Sequence, residues 1–258
     1  LDKILLEREG HLASITINRP ERLNCFDYET LCELEETVEQ IQTDRDIRMV
    51  LITGAGEKAF SAGADLKERR TLTEKEVRRN VNKIRTVFTM IEELPQPTIA
   101  AINGYALGGG FELALACDFR YAAEHAILGL PEVSMAIIPG GGGTQRLTKL
   151  IGPSKAKELI LTARRIPAAE SENLGIVNQV TRSDAVIEKS KELAEEIMQN
   201  GPLAVIQAKY AIHHGSNVDS STGMAIESKA YEVIIPTEDR LEALEAFKEK
   251  RQPKFQGK

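Results

Sequence analysis

The chain has 258 residues, 42% hydrophobic and 28% charged, with a net charge of −6, the make-up of a globular protein with one large domain or a core plus an appendage. No apolar run reaches the roughly 18 residues of a membrane span, no basic stretch leads into an apolar signal segment, and the acidic balance argues against a nucleic-acid footprint over the whole surface. Cys25, Cys32 and Cys117 are odd in number and lack metal-binding spacing, so they read as reduced thiols of a cytosol-like compartment; the histidines form no HExxH pattern, which speaks against a metal enzyme.

In chain order, Lys3–Glu9 and Leu12–Asn18 predict two strands joined at Gly10. In the second, Ala13, Ile15 and Ile17 alternate with polar neighbours, the period of a half-buried strand. Asn18-Arg19-Pro20 ends it. Asp27 is placed to N-cap a helix on which Leu31, Leu34, Val38 and Ile41 share one face. Met49–Thr53 is a short apolar strand stopped by Gly54-Ala55-Gly56. Lys58–Lys67 (KAFSAGADLK) reads as a loop whose small residues leave the backbone open to a ligand. Glu74–Leu94 predicts a long helix closed by Pro95 and Pro97, and Thr98–Asn103 a buried strand. That strand feeds Ile102–Asp118 (INGYALGGGFELALACD), where Gly108–Gly110 launch an apolar helix. Phe119–Ala122 is the next strand, and Leu128–Val133 places Glu132 directly after Pro131. Ala136–Gly143 (AIIPGGGG) reads as a second strand running into glycine, with Thr144 capping the helix that follows. From Pro153 helices dominate: Ser154–Ala163, Asp184–Asn200 with Gly201 as its stop and Pro202 opening the next, then Met224–Ile235 and Thr237–Arg251.

The chemistry concentrates at the glycine-to-helix turns. Backbone N–H groups at a helix start have no partner of their own, and the helix dipole adds positive charge there. Glu112, in the first turn of its helix, is flanked by Phe111, Leu113, Ala114, Leu115 and Ala116, so the turn is expected to be buried, and a buried carboxylate needs a reason. Glu132 also sits among apolar residues. Two such carboxylates near one another split their proton affinities, leaving one protonated and one ionised. That is what adding water across a double bond requires. The phosphate-loop and dinucleotide fingerprints both fail at Gly108–Gly110.

NRPERLN (Asn18–Asn24), KAFSAGADLKE (Lys58–Glu68), PTIAAINGYALGGGFELALACD (Pro97–Asp118), GLPEV (Gly129–Val133) and IIPGGGGTQRL (Ile137–Leu147) together resemble the enoyl-CoA hydratase (crotonase) family across nearly the whole chain. IIPGGGGTQRL and the tail from Ile235 look most similar to its AU-rich-RNA-binding methylglutaconyl-CoA hydratase branch. The resemblance implies an α/β crotonase spiral of β-β-α units with two roughly perpendicular sheets over residues 1–200. It also implies a helical C-terminal region over 201–258 for trimerisation and active-site cover, and a homo-hexamer built as a dimer of trimers. By the same resemblance the Ala64 and Gly109 N–H groups form an oxyanion hole, and Glu112 and Glu132 are catalytic, Glu132 giving a proton to the α-carbon and Glu112 activating the water. Ala62, Gly63, Asp65 and Leu66 border the adenine and pantetheine path, Lys58 and Lys67 lie near the CoA phosphates, and Gly140 packs against the acyl part. Phe247 and Lys250 match tail positions that cover CoA, often across a subunit boundary. No metal or cofactor is implied, CoA being part of the substrate, and the compartment is cytoplasmic, or the mitochondrial matrix if a transit peptide has been removed.

Related isomerases often keep only the carboxylate at the Glu132 position, so two glutamates favour a hydratase. The branch resemblance raises RNA binding as a competing function. However, the corresponding helix here, Tyr28–Gln42, carries several Glu and no Lys or Arg, and an acidic helix repels phosphate. Arg69, Arg70, Arg78 and Arg79 with Lys67 read as an exposed helix face. A non-catalytic scaffold is disfavoured because both carboxylates and both donor loops are intact. The acyl chain stays open between a short linear enoyl group and 3-methylglutaconyl, whose distal carboxylate needs a cationic or polar partner that the sequence does not identify.

Overall fold

Strands β1 (Ile4–Glu9) and β2 (Leu12–Ile17) form an antiparallel hairpin through Gly10, which takes a left-handed φ of 59°. This computed structural model describes residues 2–258. The alternation read in β2 is real: Leu12, Ala13, Ile15 and Ile17 are buried. Helix α1 (Tyr28–Thr43) is capped by Asp27, whose carboxylate accepts from the Thr30 N–H, and it buries Leu31, Leu34, Val38 and Ile41 as its periodicity predicts. Strand β3 (Met49–Gly54) is buried along its whole length, which is why it is apolar without alternation.

The next elements repeat one plan. Strand β4 (Ala59–Ser61) is followed by a short helix α2 (Leu66–Arg69) and the long helix α3 (Glu74–Glu92). Strand β5 (Thr98–Ile102) and strand β6 (Tyr105–Leu107) lead into α4 (Gly109–Ala116). Strands β7 (Phe119–Ala123) and β8 (Ile127–Gly129) lead through a 3-10 turn (Glu132–Met135) into α5 (Gly143–Leu161). In each turn the first strand joins a large sheet and the second a small one. With β9 (Arg165–Pro167), α6 (Ala168–Asn173) and β10 (Gln179–Thr181), the sheets run β1-β2-β3-β5-β7-β10 and β4-β6-β8-β9. Pairing is parallel except for β1 with β2 and β8 with β9. This is the expected α/β spiral of β-β-α units.

Four local expectations change. The bare loop over Lys58–Lys67 contains β4 and α2, and helical residues after Pro153 are interrupted by β9 and β10; three-residue strands are too short to display a period. No strand forms over Ala136–Gly143, because glycines offer nothing to pack and two of their N–H groups bond a side chain instead of a neighbouring strand. Gly142, not Thr144, is the N-cap of α5. That helix kinks where Gly152 leaves helical geometry (φ 78°, ψ 161°) just before Pro153.

The chain divides into two units. The first runs up to Leu94 and from Thr98 to Lys191; the second comprises Pro95–Pro97 and Glu192–Lys258, so the division falls inside α7 (Val186–Met198). The second unit holds α8 (Pro202–Gly215), α9 (Ser220–Ile234) and α10 (Glu238–Glu249). These helices expose Ile212, Met224, Tyr231, Leu241 and Phe247. Among the described residues no helix is long and apolar enough to cross a membrane.

Candidate active site

Two backbone turns meet at the start of α4. Gly63 has a φ of 92°, which L side chains rarely adopt, and a methyl group there would lie 2.7 Å from the Leu107 carbonyl and 3.0 Å from the Gly109 nitrogen. Glycine is what lets the loop after β4 touch the turn before α4. The surrounding amides are committed: Ala62 N–H donates to Leu23 O at 2.9 Å, Phe26 N–H to Gly63 O at 2.8 Å, and Asp65 N–H to Phe26 O at 2.8 Å. Among the described residues, the N–H groups of Ala64 and Gly109 have no protein acceptor. Two uncommitted donors on adjoining turns can hold one anionic oxygen between them.

Glu112 projects from the first turn of α4 and is 3% exposed. Its Oε1 accepts from the N–H groups of Gly141 and Gly143, each at 2.8 Å, while Oε2 has no protein partner among the described residues. Burial raises its pKa; the Gly143 and Gly141 N–H groups and the charges of Arg146 and Arg85 oppose that rise. Glu132 opens the 3-10 turn, and its Oε2 is buried without a hydrogen-bond partner. Burial pushes its pKa up to about 7 against a hydrogen bond from its own backbone N–H; the charge of Glu112 adds to the rise, and Arg69 opposes it. The pair is therefore unequal: Glu112 is held by two amides of another segment, whereas Glu132 has one buried oxygen with no partner and keeps its proton to near neutrality.

Both glutamates face a cavity of about 630 Å³. Ala62, Gly63, Ala64, Leu66, Gly109 and Gly140 also line it, with Val81 and Ile84 of α3 and Ile137, Ile138 and Pro139 supplying apolar wall. The remaining expected site residues do not line this cavity. Asp65 is buried and caps α2 through the Lys67 and Glu68 N–H groups while pairing with Arg19 at 3.1 Å. Burial would raise its pKa, but these hydrogen bonds and Arg19 bring it below the usual carboxylate range. Lys58 and Lys67 are exposed, Lys58 contributing its carbonyl to the Tyr105 N–H at 3.0 Å. Phe247 lies on α10, 86% exposed, and Lys250 caps that helix in the left-handed region; both belong to the second unit.

Several residues at the site were not legible in the sequence. The glycine run over Gly140–Gly143 reads as open N–H groups before a helix, yet the Gly141 and Gly143 N–H groups are taken by the Glu112 carboxyl. Arg69 and Arg85 line the cavity, although Arg69 reads in the sequence as part of an exposed helix face. Neither meets a carboxylate within ion-pair distance among the described residues. No group of three or more His, Cys, Asp or Glu side chains among the described residues is arranged to hold a metal ion.

Comparison with known proteins agrees with this geometry. A family profile described as enoyl-CoA hydratase/isomerase matches residues 7–258. The crystal structure of an enoyl-CoA hydratase from Bacillus anthracis superimposes with a TM-score of 0.98 at 53% identity, covering 99% of this chain and 100% of that one. The short-chain-enoyl-CoA hydratase of Clostridium acetobutylicum is 44% identical over 251 residues, 97% of this chain and 96% of its own. The human mitochondrial methylglutaconyl-CoA hydratase is 47% identical over 257 residues, 98% of this chain and 76% of its own. With a match of this extent lying over two unequal carboxylates and two uncommitted amides, the chain belongs to the enoyl-CoA hydratase/isomerase family.

Proposed function

We propose that the protein adds water reversibly and on one face across the C=C of a short 2-enoyl-CoA, giving a 3-hydroxyacyl-CoA. The observation that carries this reading is the meeting, in one cavity, of two carboxylates in unlike environments with the Ala64 and Gly109 donors. The thioester oxygen sits between those two N–H groups, which favour the enolate-like state by on the order of 3 kcal/mol each. Charge on that oxygen makes the β-carbon electrophilic. Ionised Glu112 takes a proton from water as the new C–O bond forms. Glu132, still protonated near neutrality, gives its proton to the α-carbon. The enzyme is left with Glu112 protonated and Glu132 ionised, and proton exchange with solvent restores the starting state. No group beyond the CoA of the substrate enters this scheme. An isomerase needs one carboxylate to move a proton along the chain, so the second acid in the cavity favours hydration.

We read the exposed apolar side chains of α8, α9 and α10 as surface for assembly with further copies of the chain, as a hexamer. Nucleic acid has no part in this reading, since α1 carries Glu29, Glu33, Glu35, Glu36 and Glu39 and neither Lys nor Arg.

A second reading, hydration of 3-methylglutaconyl-CoA, is favoured by Arg69 and Arg85: a distal acyl carboxylate entering this cavity has guanidinium groups available to it. A kinetic panel of crotonyl-, longer enoyl- and 3-methylglutaconyl-CoA decides between the two. Short linear specificity predicts the highest kcat/KM for crotonyl-CoA and little effect of Arg85→Met. If 3-methylglutaconyl-CoA is preferred and Arg85→Met removes that preference, the second reading holds. In either case Glu112→Ala and Glu132→Ala each lower hydration by orders of magnitude, and near wild-type turnover in either variant would refute the assignment of roles.

A further inference from the structure

Glu112 is useful only if its second oxygen stays directed at the substrate, and the amides that fix the first oxygen lie in a glycine turn with little side-chain packing of its own. Something else must hold that turn. Arg146, one turn into α5, reaches back into it. Its Nη1 donates to the Gly141 carbonyl at 2.6 Å, and its Nη2 donates to Glu92 Oε2 of α3 at 2.6 Å, with Thr89 Oγ1 further off at 3.4 Å. The side chain is 11% exposed and its Nε is buried without a partner, so the guanidinium is positioned by its two ends alone. The turn wraps around it. Gly142 has a φ of 105°, and a methyl group there would overlap Nη1 and lie 3.0 Å from the guanidinium carbon.

We propose that Arg146 is a positioning residue for the reaction: by clamping the Gly141 carbonyl against α3 through Glu92, it keeps the Gly141 and Gly143 N–H groups on Glu112 Oε1 and leaves Oε2 for water. The role rests on the hydratase reading above. It is more than a structural tie, because the same guanidinium contributes positive charge that favours ionised Glu112. The other charged groups facing Glu112 are Arg85 from α3 and Glu132 from the 3-10 turn, with Glu92 of α3 behind Arg146 and Arg69 of α2 beside Glu132.

The test uses Arg146→Gln and Arg146→Lys in the full-length protein, with crotonyl-CoA as substrate and circular dichroism to establish that each variant is folded. Arg146→Gln should lower kcat roughly ten- to hundredfold with little change in KM, the signature of misplacing a reacting group rather than losing substrate binding. The acidic limb of its kcat/KM profile should move to higher pH, since losing a cation favours protonated Glu112. Arg146→Lys keeps the charge but not the planar two-ended grip, so kcat should fall while the acidic limb stays near its wild-type position. Hydrogen-exchange mass spectrometry of the peptide spanning Gly140–Gly143 should show faster amide exchange in both variants, a readout independent of turnover. Wild-type kcat in a folded Arg146→Lys, or an unmoved acidic limb and unchanged amide exchange in Arg146→Gln, would overturn the proposal. Glu112→Ala, assayed alongside, separates the two levels: if it too turns over normally, the hydratase reading itself has failed. If it is inactive while the Arg146 variants behave as wild type, only the role of Arg146 is lost.

Discussion

Gly141→Ala isolates the placement of Glu112 from the rest of the fold. Gly141 is not among the residues at positive φ, so alanine brings no backbone strain. Its new methyl would lie 2.8 Å from Glu112 Oε2, 3.1 Å from Glu112 Cδ and 2.8 Å from Ile84 Cγ2. The closest approach is 0.6 Å inside the 3.4 Å at which ordinary contact begins. The carboxylate cannot simply swing aside, because Oε1 is held by two amides, one of them that of Gly141 itself. Either Oε2 is displaced from the cavity or the hydrogen bonds to Oε1 lengthen. A displacement approaching 1 Å at a reacting group costs on the order of a hundredfold in rate, about 2.7 kcal/mol of transition-state stabilisation. The methyl group also overpacks by about 1–3 kcal/mol, offset in part by the roughly 0.4–1 kcal/mol that alanine recovers from the unfolded chain. Melting temperature should therefore fall by only several degrees. Initial rates followed by loss of the ultraviolet absorbance of the conjugated thioester give kcat and KM, and thermal melts give stability. A folded Gly141→Ala protein with wild-type kcat would refute the claim that Glu112 is fixed by this turn.

Three further outcomes follow from the same geometry. Hydration of crotonyl-CoA should show a bell-shaped kcat/KM profile: Glu132, with its pKa pushed up to about 7, loses the proton it must donate as pH rises through that value, and Glu112, also raised, takes up a proton on the acid side. A profile still rising above pH 8 would contradict Glu132 as the acid. Glu132→Gln should be inactive yet more stable than wild type at pH 8, by on the order of 1 kcal/mol once solvent screening of this half-buried group is counted. The sign follows from the raised folded-state pKa: the stability present below the unfolded value near 4.5 is lost as pH climbs through about 7, where a half-buried carboxyl with one unpartnered oxygen must ionise, and glutamine never does. Melting curves at pH 4 and pH 8 check it, the gain appearing only at the higher pH. Gly110→Ala should destabilise the whole first unit by about 3 kcal/mol or more, because its methyl would overlap the Ser61 carbonyl oxygen and lie 2.6 Å from the Ser61 carbonyl carbon, which is backbone and cannot rotate away. A denaturant midpoint equal to wild type would show that α4 and β4 can part without penalty.

Much of this site could be read from the chain because the relevant signals are local. Asp27 caps α1, β2 alternates, β3 and β5 are mostly apolar without alternation, and Gly108–Gly110 open α4 with Glu112 in its first turn; each depends on neighbours within a few residues. The burial of Glu112 was legible for the same reason, from the apolar residues around it. What depends on distant segments was not. The amides that hold Glu112 come from 29 and 31 residues further along the chain, so the sequence shows a glycine run before a helix but not the side chain it supports. The carboxylate of Asp65 is taken up by α2 and by Arg19, 46 residues away, a pairing that local pattern does not show. Arg146 lies in a plain helical stretch whose pattern shows nothing of the turn folded around it. Residue type, capping and period determine which segments become strands and helices and which turns expose their amides, because those choices are settled over a few residues. The difference between the two glutamates, one gripped by two distant amides and one with an oxygen buried and unpartnered, was decided only when the β-β-α turns stacked. Solvent exclusion and hydrogen-bond supply at one atom are set by chain segments that meet only in the folded state.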